Sequence, residues 1–100
     1  MSVSRREYLL SVNVNGLRIT RVVIDPHYEV RHSKAINDQL IIKIVQTLDD
    51  NFYDFSEEKN GYEYFVNDAI LFEGKKYRLI WLLERNKNYI GVINIFRSSK

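Results

Sequence analysis

Five consecutive apolar residues, Leu79-Ile80-Trp81-Leu82-Leu83, leave the stretch from Tyr77 to Arg85 with no polar side to turn toward water. A strand of that composition needs cover on both faces and belongs in the middle of a sheet. Asn86-Lys87-Asn88 forms a short polar break after it. The run Tyr89-Ile90-Gly91-Val92-Ile93-Asn94-Ile95-Phe96-Arg97 then supplies a β-branched strand that can fold back antiparallel. The rest of the chain has to provide neighbours for this central hairpin and a layer to bury it.

A second hairpin is written at the other end. Asn15-Gly16 is the preferred pair for a two-residue type I′ turn, because both central residues take positive φ. That turn sets Val14 opposite Leu17, Asn13 opposite Arg18, Val12 opposite Ile19 and Ser11 opposite Thr20. Val12, Val14, Leu17 and Ile19 then share an apolar face, and only Leu10 opposite Arg21 breaks the pattern. Asp25-Pro26 ends the second strand, since proline has no ladder N–H and forces its predecessor into an extended conformation. His27 to Lys34 has no sustained period and reads as a loop or a single helical turn.

From Asn37 the period changes. Leu40, Ile41, Ile44, Val45 and Leu48 recur at helical spacing, with Asn37 as N-cap, Asp38 in the first turn and Ile36 positioned to staple onto Ile41. The helix should end near Asp49 or Asp50. Asp49 to Gly61 is polar and acidic, interrupted only by Phe52, Tyr53 and Phe55, and reads as a mobile loop. Tyr62 to Phe72 reads as a strand with a bulge at Asn67-Asp68, and a turn at Gly74-Lys75 would set Phe72 opposite Tyr77 and Ile70 opposite Leu79. The order is β-β-α-β-β-β in a single α+β domain over residues 1 to 100. Its simplest packing is a twisted antiparallel sheet with one main helix on one face.

Composition excludes several classes. Hydrophobic residues at 45% against 28% charged describe a globular chain. With no cysteine there is neither a disulfide framework nor a thiolate metal site, which favours a cytoplasmic setting. Met1 to Glu7 lacks the apolar run of a signal peptide, and no apolar run exceeds Leu79 to Leu83, far below the roughly 20 residues of a bilayer span, so no membrane is expected. The net charge of +2 is unevenly distributed. Residues 1 to 36 carry six Lys/Arg against three Asp/Glu, residues 37 to 74 two against nine, and residues 75 to 100 seven against one. If the two ends share a sheet, they predict a basic face and leave an acidic one to the middle.

The residues suited to chemistry are few. His27 and His32 are the only histidines, and Arg31 and Lys34 stand beside them in the irregular stretch between hairpin and helix. A histidine pKa near 6.5 suits proton transfer at neutral pH, and cations suit the charge that develops on a phosphorane. Together they make the toolkit for RNA cleavage: a base for the 2′-hydroxyl, an acid for the leaving 5′-oxygen and cations for the phosphate. Two solvated surface histidines give the same pattern. Asp25, His27, Glu29 and His32 match no zinc spacing, so no metal site is expected. There is no glycine-rich phosphate loop or nucleophile elbow, so no cofactor is expected either. Of the aromatics, Tyr62, Tyr64, Phe65, Tyr77, Trp81, Tyr89 and Phe96 can stack on bases where they face outward, while Trp81 reads as core.

Asp25-Pro26, followed by Arg31-His32 and an acidic, apolar helix start, resembles the opening of BrnT-type toxins, in which an Asp-Pro pair precedes a Lys-His and the following helix. The closing run Tyr89 to Arg97 is similar to the last strand of that group, which ends on an arginine. BrnT belongs with the RelE-like ribonuclease toxins, so the resemblance implies a RelE-like fold and an endoribonuclease toxin. It also implies RNA and a protein antitoxin as partners, with roles for Arg31, His32 and Arg97. His27 and Lys34 join these by proximity. Arg78 and Tyr89 join as RNA-binding candidates expected near the ends of adjacent strands, although Arg78 reads more readily as an outward strand cation. The competing reading is a non-catalytic protein-interaction module of phage or mobile-element origin that uses the loop from Asp49 to Glu58 or a sheet edge. A third is a sequence-tolerant RNA binder without chemistry.

Overall fold

The computed structural model describes residues 5–26 and 36–98. Within them the chain forms β1 (Arg6–Val14), β2 (Leu17–Ile24), α1 (Asp38–Gln46), β3 (Glu57–Lys59), β4 (Tyr62–Phe72), β5 (Lys75–Glu84) and β6 (Tyr89–Arg97). All six strands share one sheet in the order β1-β2-β6-β5-β4-β3, so β5 and β6 are central. The α+β class and the helix on one face agree with the sequence reading.

The expected all-antiparallel sheet does not form. β2 and β6 run parallel, with Arg21 opposite Tyr89 and Ile24 opposite Val92, and the other neighbours are antiparallel. Parallel neighbours need a long crossover, and here it is everything from Asp25 to Asn88. The element order also gains a strand. Asn60 and Gly61 both take left-handed φ, 55° and 85°, and fold Glu57–Lys59 back on Tyr62–Tyr64.

Asn15 and Gly16, at φ 54° and 77°, make the expected turn and hold Val14, Asn13 and Val12 opposite Leu17, Arg18 and Ile19. Beyond Val12 the register slips, so Leu9 rather than Leu10 lies opposite Arg21. Such a bulge places two residues against one. Tyr8, Leu10, Val12 and Val14 thereby stay on the core side, facing Ile19 and then Val22 and Ile24 on β2. Leu9 is turned out at 85% exposure, and Leu17, expected on the apolar face, is exposed at the turn. The turn of the next hairpin is Glu73-Gly74, at φ 51° and 78°, rather than Gly74-Lys75, which sets Phe72 opposite Lys75 and Ile70 opposite Tyr77, and a similar slip follows between Ile70 and Asn67, beside the expected bulge.

Asn37 caps α1 as expected, its Oδ1 accepting from the Leu40 N–H at 2.9 Å. The helix stops at Gln46, with Thr47 as C-cap, short of the expected end. Asp38 fastens the first turn to β1 by accepting from the Arg6 guanidinium and, at 2.6 Å, from the Tyr8 hydroxyl. Ile36, Ile41, Ile44, Val45 and Leu48 join Leu79, Trp81, Ile90 and Ile95 in one core. Trp81 is fully buried, as expected. It stacks on Phe65 at 4.1 Å, meets Tyr53 edge-on at 5.6 Å and donates from Nε1 to Asn67 Oδ1 at 2.8 Å.

The acidic stretch after the helix is docked, contrary to the mobile loop expected. Asp50 N–H donates to Asn13 O at 2.7 Å, and Asn15 N–H donates to Asn51 O at 3.0 Å. The Asn15 side chain exchanges two hydrogen bonds with the Tyr53 backbone. Ser56 and β3 then pair with β4. The expectation that β5 is covered on both faces also fails. Tyr77, Leu79, Trp81 and Leu83 are buried under the helix, but Ile80 and Leu82 are only half-buried on a face that no described helix or strand covers. No helix among the described residues is long and apolar enough to cross a membrane.

Candidate functional site

Strand direction decides which candidate residues can meet. Because β2 and β6 are parallel, both run toward the same end of the sheet, but β2 stops level with the middle of β6, where the Asp25 N–H donates to Val92 O at 3.0 Å. β1 begins there too, with Arg6 opposite Ile24, and Arg6 and Tyr8 hold the first turn of α1. The chain on either side of residues 27–35 is therefore fixed at the same level of the sheet. His27, Arg31, His32 and Lys34 lie outside the described residues, as does all of the Asp25, His27, Glu29 and His32 donor set except Asp25.

Arg97 lies past Val92 along β6, roughly 17 Å farther down the strand, exposed at its close and opposite Tyr77. Lys75 and Lys76, which the sequence reading passed over, open β5 beside it, also exposed, and none of the three makes an ion pair with a described residue. Arg78, opposite Phe96, belongs to this end as well. Its guanidinium lies 5.7 Å from the Phe96 ring centre and pairs with Asp68 at 3.1 Å, as an outward strand cation does. Tyr89 begins β6, so it and Arg78 lie at opposite ends of the sheet rather than near one another.

Tyr89 belongs instead to a groove of about 530 Å³ across the uncovered face, with Tyr62 and Tyr64 on one side, Arg21 on the other and Leu82 and Ile93 between. Strand alternation puts these side chains together: Tyr64 is opposite Leu82, Leu82 is opposite Gly91, and Tyr89 and Tyr62 both neighbour Glu84. Gly91 lets Leu82 lie flat, since a methyl there would stand 2.8 Å from Leu82 Cδ1. The Tyr89 hydroxyl donates to Glu84 Oε1 at 2.6 Å, and the Arg21 guanidinium lies 5.5 Å from the Tyr89 ring centre while pairing with Glu7 at 3.0 Å. Burial, and then the Glu84 carboxylate that accepts its proton, hold the Tyr89 hydroxyl well above its ordinary pKa near 10.

The aromatics thus divide in two. Phe65, Tyr77 and Trp81 are core, whereas Tyr62, Tyr64, Tyr89 and Phe96 are half-buried on the uncovered face. Opposite charges from the basic and acidic blocks meet across the sheet, where β5 lies beside β4. Arg78 meets Asp68 and Arg85 meets Glu58. Fold and groove together define an α+β domain with one sheet face clad by the helix and the other left open among the described residues. No protein-family model, curated protein or solved structure matches the chain.

Proposed function

We propose that the protein is an endoribonuclease of the toxin kind, acting by histidine general acid–base chemistry at the sheet end that carries Arg97. The observation that supports this reading is that the described chain leaves β2 at Asp25 and resumes beside β1 at Ile36, on the side of the sheet toward which β6 runs to Arg97. One histidine takes the 2′-hydroxyl proton as the oxygen attacks phosphorus, and the other returns a proton to the departing 5′-oxygen. Arg97, Arg31 and Lys34 offset the phosphorane charge. The products are a 2′,3′-cyclic phosphate and a 5′-hydroxyl. The family resemblance supports the same reading and adds a protein antitoxin as partner.

Wild type and His32→Ala, expressed side by side with circular dichroism as the fold control, test this. Removing one proton-transfer group should slow cleavage about 10²- to 10⁴-fold and relieve growth inhibition. Arg97→Ala should weaken RNA binding as well as cleavage and flatten the salt dependence of affinity. A wild type that leaves total RNA intact refutes the ribonuclease reading, whereas an equally active His32→Ala refutes only the choice of that histidine.

A further inference from the structure

We infer that the groove on the open sheet face takes the splayed, unpaired bases of single-stranded RNA, with Tyr62 and Tyr64 as stacking platforms; the inference rests on the RNA reading above. Both rings are half-buried, so each has a fixed body and a wet face, which suits a base better than a buried core ring does. Tyr89 is braced further, by its hydroxyl on Glu84 and by Arg21 against its ring, and a guanidinium plane is itself a surface on which bases stack.

Spacing narrows the ligand. Tyr62 and Tyr64 are successive outward residues of β4, and their ring centres lie 6.3 Å apart at 41°. Stacked nucleotides advance only about 3.4 Å along a strand, so bases seated on neighbouring tyrosines must be pulled apart. A single strand can do this, and a duplex, with its bases paired and inside, cannot.

Charge on the face agrees. Glu7 is engaged by Arg21, Glu84 by the Tyr89 hydroxyl and Asp68 by Arg78, while Arg18 and Lys76 make no ion pair with a described residue. Glu57 and Lys59, opposite Tyr64 and Tyr62 on β3, add one charge of each sign, so a phosphate backbone meets mostly paired carboxylates and some spare cations. The modest surplus makes stacking the larger share of affinity, and stacking is insensitive to salt.

The test is fluorescence anisotropy with a labelled 2′-O-methyl oligouridine, which lacks the attacking hydroxyl and reads binding without cleavage, and with the same strand annealed to its complement. The single strand should bind the tighter. Tyr62→Ala and Tyr64→Ala should each weaken it about tenfold, the effect of losing one stacked base, without changing the salt slope. Tyr64→Phe should retain affinity. Gly91→Ala should weaken it too, by driving Leu82 into the groove. Circular dichroism and the emission of buried Trp81 check that each variant is folded. Equal affinity for duplex, or folded Tyr62→Ala and Tyr64→Ala within twofold of wild type, overturns this inference and leaves the ribonuclease reading standing. No binding or cleavage of any RNA overturns both and leaves the face to a protein partner.

Discussion

Asn15→Gly separates two roles of one residue. Asn15 sits at φ 54° in the β1–β2 turn, a conformation glycine adopts at least as readily, so a residue kept only for the turn could be replaced without loss. The side chain does more. Its Nδ2 donates to Tyr53 O at 3.0 Å and its Oδ1 accepts from the Tyr53 N–H at 2.6 Å, a two-point clamp that holds the post-helix segment and aims the Tyr53 ring at Trp81. Each hydrogen bond is worth about 1 kcal/mol net, and both are part-buried, so Asn15→Gly should destabilise by about 2 kcal/mol. For a domain of this size that lowers Tm by roughly 8 to 16 °C. Asn15→Asp keeps the acceptor but not the donor and should lose about half as much. Urea unfolding followed by Trp81 emission measures the cost, and hydrogen exchange at the Tyr53 amide reads the clamp directly. If Asn15→Gly unfolds within about 0.5 kcal/mol of wild type with the Tyr53 amide still protected, the clamp contributes nothing and Asn15 is a turn residue after all.

Ile44 is fully buried between helix and sheet, so Ile44→Ala should cost about 2 to 5 kcal/mol in urea unfolding, whereas Lys43→Ala, on the exposed side of the same turn, should stay within about 0.5 kcal/mol. The alkaline limb of stability follows from the tyrosines. Tyr89 has a raised pKa in the fold, as do Tyr53 through burial and Tyr8 through its hydrogen bond to Asp38. The folded state thus keeps protons that the unfolded chain releases near pH 10, so stability is full below that pH and falls as pH rises above it. Tyr89→Phe should flatten part of this decline, and an unchanged slope would show that neither burial nor Glu84 raises the Tyr89 pKa in solution.

What could be read in advance follows the range of the interactions. Asn15-Gly16 and the helix from Asn37 were legible because turn chemistry, capping and periodicity act over a few residues. β3 is hard to read in the sequence although Asn60-Gly61 carries the same turn signal as Asn15-Gly16, because the strand itself, Glu57-Glu58-Lys59, is wholly charged. Charge on a short edge strand is a common protection against pairing with other chains. The β1 bulge left a trace in the misfit of Leu10 opposite Arg21, but a slip of one residue is settled by packing against the helix. Leu79 to Leu83 gave the central strand correctly and the second layer wrongly: Ile80 and Leu82 are sheltered only in part, by neighbours that include Tyr64 and Tyr89. The groove was beyond local reasoning, since its walls come from strands that become neighbours only once the sheet order is known. The same order separates Tyr89 from Arg78.

The parallel seam between β2 and β6 also sets a timetable for folding. The Thr20 N–H donates to Asn88 O at 3.0 Å across 68 residues of chain, and Ile19, Val22 and Ile24 on one side of the seam share the core with Ile90 and Val92 on the other. During synthesis the first hairpin and the helix emerge early but cannot close their core, because its far wall is the last strand to be made. Until then β2 presents a bare hydrogen-bonding edge for most of the time the ribosome spends on the domain, and such long-range closure is slow and open to wrong pairings. Completion is therefore nearly all-or-none: a nascent chain that has not reached Tyr89 has separate hairpins, a helix and no finished interior.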